Sequence, residues 1–108
     1  MKTATAQCTF QQGDVLGVKI PKPPEGERKN ITRRRLVVAH GESGHSHVIE
    51  DDNALMFQVG ERFYLELEKT ATLTHEEHQP ITLSPGIWEI GRVQEFDWFS
   101  KIRRQVVD

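Results

Sequence analysis

Sulfur is scarce in this chain: among its 108 residues there is one cysteine, Cys8. Neither an internal disulfide nor a cysteine-built zinc site can therefore staple the fold. No apolar run approaches the ~20 residues that cross a bilayer as a helix, and residues 1–7 carry one lysine but no apolar stretch of the kind a secretory leader needs. The expectation is a cytoplasmic protein without a membrane partner. An excess of charge is missing as well, because 14 basic and 16 acidic side chains leave a formal charge of −2. Nucleic acid is offered no general attraction. The phosphate-cradling loops G-x-x-x-x-G-K and G-x-G-x-x-G and the G-x-S-x-G serine elbow are also absent, which argues against nucleotide cradling and serine hydrolysis.

What is present reads as strand and turn. Residues 21–30 hold three prolines and a glycine, a composition that makes a loop. Before it, Leu16, Val18 and Ile20 share one face at period two, so 14–20 is a predicted strand. After it come predicted strands over 34–40 and 45–49 about a turn at 41–44, and then a turn at Asp51-Asp52-Asn53. Strands over 54–59 and 63–68 flank Gly60-Glu61-Arg62, and strands over 80–83 and 87–93 flank Ser84-Pro85-Gly86. Six or seven strands, with a turn about every 8 to 12 residues, predict an all-β single domain over 1–108: a small antiparallel barrel or sandwich with at most a short helical turn at 98–104. Trp88, Phe96, Trp98 and Phe99 read as packing aromatics.

The chemistry lies in the histidines. All five fall in two groups, His40, His45 and His47, then His75 and His78. On a strand His45 and His47 project from one face with Cα atoms about 6.5 Å apart, close enough to chelate one ion. In Thr74-His75-Glu76-Glu77-His78 the histidines have the wrong parity for a straight strand. A turn or bulge, capped by Thr74 and Glu77, would bring His75 and His78 together, and Gln79-Pro80 suits such a turn. If the two groups meet, His45, His47, His75 and His78 ligate a divalent transition metal, zinc first, with iron, nickel and copper also suited. Glu50, Glu76 and Glu77 stand near, and Glu77 is the expected general base moving the proton of a metal-bound water, or a further ligand. His40 suits a capping or solvent-facing position equally well.

Four imidazoles close a structural zinc site, whereas three leave a position for water and a small-molecule substrate, so the sequence leaves the choice of catalytic or structural role open. The alternatives are a metal-free interaction module, in which homo-oligomerisation has a place, and a phosphodiester or RNA-processing protein. In the latter two histidines act as base and acid while Arg33, Arg34 and Arg35 hold phosphate. That basic run and Lys101, Arg103 and Arg104 are short clusters of the kind that ordinarily face solvent.

Gly44-His45-Ser46-His47, followed by His75-Glu76-Glu77-His78-Gln79-Pro80-Ile81-Thr82-Leu83-Ser84-Pro85-Gly86-Ile87-Trp88-Glu89-Ile90, resembles a family of small uncharacterised bacterial proteins. Their shared pattern is G-H-x-H, then H-E-E-H-x-x-I-x-L-x-P-G-x-[YW]-x-[VI]. The likeness runs from Gln12 to Asp108 and implies a site at the paired histidine motifs without naming a reaction. A looser similarity is to cupins, small β-barrels whose metal is held by H-x-H and a downstream glutamate, with a later glycine. His45, His47, Glu50 and Gly60 keep that order, with Glu50 one residue early and the second histidine group ahead of Pro85-Gly86. This similarity implies a barrel with a metal site.

Overall fold

The structure, a computed structural model, describes residues 4–6, 8–40 and 45–92. Nine strands and no helix occur among them: β1 (Ala4–Ala6), β2 (Thr9–Gln12), β3 (Val15–Ile20), β4 (Lys29–His40), β5 (Ser46–Val59), β6 (Arg62–Leu67), β7 (Ala71–Thr74), β8 (Ile81–Leu83) and β9 (Gly86–Arg92). They form one sheet in the order β1-β8-β7-β5-β6-β9-β3-β2, with β4 added along β5. All pairs are antiparallel except β1 with β8. The sheet curls into a nearly closed barrel, as the all-β reading expected. Its curvature brings the path's far strand back on itself: the Gln12 amide at the end of β2 donates to the Leu73 carbonyl in β7 at 3.0 Å.

Alternation decides which face is inside. Phe10 and Gln12 point inward from β2, and Ala71 and Leu73 from β7, while their neighbours are exposed. Trp88 is fully buried at the centre, with Phe10 edge-on at 5.5 Å and its indole N–H donating to the Ser84 carbonyl at 3.0 Å. Val15, Leu36, Ile49, Leu65, Leu73 and Leu83 complete the interior. The β5–β6 hairpin turns at Gly60-Glu61 as expected, pairing Val59 with Arg62, and Gly60 takes φ 60° at the first loop position.

Two expected turns do not reverse the chain. Asp51-Asp52-Asn53 lies within the unbroken β5, and the Asp51 carboxylate accepts the Asn53 N–H at 2.7 Å. Pairing with β4 jumps there from Arg33↔Leu55 to Arg34↔Asp51, so the turn-forming residues make a bulge and a bend. At that bend the other edge of β5 changes partner, from β7 at Val48 and Ile49 to β6 at Ala54 onward. Ser84-Pro85-Gly86 likewise bends the chain without making a hairpin. β8 pairs with β7 and β9 with β6, so the two strands follow one line with an offset between them. Lys29 and Asn30, assigned to the proline-rich loop, begin β4. The predicted turn at 41–44 and the helical turn at 98–104 lie outside the described residues.

Candidate metal centre

Strand register gathers the two histidine groups. In the β5–β7 ladder Val48 pairs with Thr74, whose hydroxyl also donates to the Val48 carbonyl at 3.2 Å. Carrying that antiparallel count one step further puts His47 opposite His75, and two residues beyond puts His45 opposite Glu77, all on the inward face that Ile49 and Leu73 occupy. The side chains follow. The rings of His47 and His75 lie 4.4 Å apart between centroids, and His45 Nδ1 meets Glu77 Oε1 at 2.8 Å. Beyond Thr74 the chain leaves the ladder in a series of bends, which lets Glu76, of the opposite parity, also reach His45 Nε2 at 3.1 Å.

The expected capping of Glu77 by Thr74 is absent, because Thr74 is spent on Val48. The Glu77 N–H donates instead to His75 Nδ1 at 3.1 Å. His78 lies 4.7 Å from His75 and stacks parallel to His47 at 6.2 Å. Its Nε2 sits against Gly13, where a Cβ would approach to 2.7 Å. All four expected histidines thus form one ring-to-ring chain. Among the described residues, ligand atoms of His45, His75 and Glu77 all lie within 4.8 Å of one another. His47 and His78 border that group.

Burial and charge split the group. Glu77, hydrogen-bonded to His45, raises the imidazole pKa above its ordinary value, with Glu76 adding to it; the same bond lowers Glu77. His47, 1% exposed, is pushed down to about 4, first by burial and then by His75. At neutral pH it is an uncharged imidazole, the form that binds a metal.

The sequence reading missed one whole wall, the β2–β3 turn. Gln12 Oε1 accepts from His47 Nδ1 at 2.8 Å, and Asp14 places Oδ1 3.9 Å from His47 Nε2 while Oδ2 accepts from Arg92 at 2.7 Å. Asp14, the first residue of the predicted strand over 14–20, lies instead in the turn between Gln12 and Val15. The available signal was a glutamine at an inward position of a strand, two residues from Phe10. Glu50 is not part of the cluster: it is exposed and lies 3.6 Å from Arg35. The backbone of His40 pairs with Ser46 beside the cluster. Outside the barrel, a groove of about 400 Å³ between Arg35, Ser46, Glu50 and Thr74 shares His75 and Glu76 with the site.

Fold and site together define a small antiparallel barrel with a histidine- and carboxylate-lined end. The chain belongs to a family described as a domain of unknown function, DUF8820, whose sequence profile matches residues 11–93 and so contains all three segments of the site. No curated protein and no solved structure matches the chain.

Proposed function

We propose that this protein binds a divalent transition metal, zinc first, through His45, His75 and Glu77. The observation that carries the reading is the meeting of these three donors within 4.8 Å, although they come from segments about thirty residues apart. Two nitrogens and a carboxylate oxygen suit zinc, and equally iron, nickel or copper. The neighbouring His47 and His78 rings supply further nitrogen, and Glu76 a second carboxylate able to take a proton. Three donors leave at least one position on a tetrahedral ion, and what fills it decides between a reactive centre and a structural tie.

Elemental analysis and zinc titration of the purified chain test this. One equivalent of metal is expected, lost in His45→Ala and His75→Ala; no binding by the unaltered chain at millimolar zinc would overturn the reading. A metal-free acid–base pair is the second reading, favoured by the opposite displacement of the His45 and His47 pKa values. It requires phosphodiester cleavage that survives chelation.

A further inference from the structure

Gln12 is a buried polar side chain that the metal reading leaves without a role. It is 2% exposed, and its amide is engaged at both ends. Nε2 donates to the Leu73 carbonyl at 3.0 Å and to the Gln79 carbonyl at 2.9 Å. The reverse orientation would set Oε1 against two carbonyl oxygens, so the pair of carbonyls fixes Oε1 toward His47 Nδ1, 2.8 Å away. A carbonyl oxygen only accepts. The proton of that bond therefore belongs to His47 Nδ1, and the neutral ring keeps its lone pair on Nε2.

The His47 ring borders the site. His47 Nε2 lies 3.9 Å from Asp14 Oδ1, and the His47 ring is the nearest imidazole to that of His75, one of the three clustered donors. We propose that Gln12 is a positioning residue, locking His47 in the Nδ1–H tautomer and thereby presenting Nε2 to the metal as a fourth donor beside His45, His75 and Glu77. The inference rests on the metal-binding reading and adds to it the missing ligand. His47 is buried and clamped, whereas His45 and His75 are half-buried and Glu77 is exposed. Four donors close a tetrahedral ion, which makes it a tie between the start of β5 and the loop after β7, with the β2–β3 turn bracing it through Gln12.

Long-range proton–nitrogen spectra of the full, nitrogen-15-labelled chain read the tautomer directly. Before metal is added, His47 Nδ1 is expected at the protonated position and Nε2 at the unprotonated one; zinc alone should then move Nε2 and leave Nδ1 protonated. In Gln12→Leu zinc affinity should fall about 10- to 100-fold, and before zinc is added the His47 nitrogens should lose their fixed protonated and unprotonated positions and report a mixture of tautomers. Should Gln12→Leu fail to fold, the spectra of the unaltered chain still decide. Zinc binding with an unmoved His47 Nε2, or a proton found on Nε2 before zinc is added, overturns the inference and leaves the three-donor reading standing. Failure of the unaltered chain to bind zinc overturns both.

Discussion

Two histidines on one face of one chain segment, His45 and His47, are pushed in opposite directions, and acid titration should separate them. The folded protein holds His47 at about 4 against an ordinary 6.5, so between these values the unfolded chain binds a proton that the folded chain refuses. Stability contributed by neutral His47 is present above pH 6.5 and is lost as pH falls toward 4; the loss in metal-free protein should be on the order of 3 kcal/mol. His45 has the other sign: its folded pKa is raised, so its contribution is present below 6.5 and fades as pH rises through the raised value. Because that pair faces water it is screened, and His47 sets the slope. Urea unfolding of chelator-treated protein at several pH values checks this, with His47→Gln expected to flatten the curve.

Glu77→Gln should return His45 toward its ordinary pKa by nuclear magnetic resonance titration and weaken zinc binding about tenfold or more. Spacing alone exposed the histidines and Glu77, since imidazole and carboxylate are the side chains that ligate metals. Gln12 was illegible because its meaning comes from carbonyls at Leu73 and Gln79, more than sixty positions along the chain.

At the scale of the strand, packing can be tested without touching the site. Gly17 in β3 lies under Phe10, where a Cβ would come 2.0 Å from the ring, and Phe10 in turn packs edge-on to Trp88. Gly17→Ala should therefore cost roughly 1–3 kcal/mol by forcing the ring off its rotamer, read as a lowered urea midpoint with an unchanged denaturant slope. The hairpin at Gly60 was legible because a glycine turn is local chemistry, although Arg62, read as its third residue, already opens β6. Asp51-Asp52-Asn53 and Ser84-Pro85-Gly86 misled because the same local chemistry serves a bend as well as a reversal. Only the partners distinguish the two, and those partners, β4, β6 and β7, are set by long-range register.

For the whole molecule, the proposed ion joins segments that β5–β7 pairing already brings together, so it should add stability by mass action without being needed for folding. At free zinc one hundred times the dissociation constant the gain is about 2.7 kcal/mol. Thermal melts with and without chelator should differ by several degrees, and the difference should vanish in His45→Ala. The all-β architecture was readable from strand count and turn spacing, which left barrel and sandwich both open, whereas the partner of each strand was not readable.

One pairing in the barrel bears on its birth at the ribosome. β3 is flanked by β2 and β9, and Asp14 and Arg92, bonded across that seam, stand 78 positions apart. At translation rates of about 5–20 residues per second, the apolar Val15, Leu16 and Val18 wait several seconds for their partner strand to be made. Throughout that interval the nascent chain offers a sticky, half-matched ribbon to its surroundings, the period in which a holding chaperone has most to do.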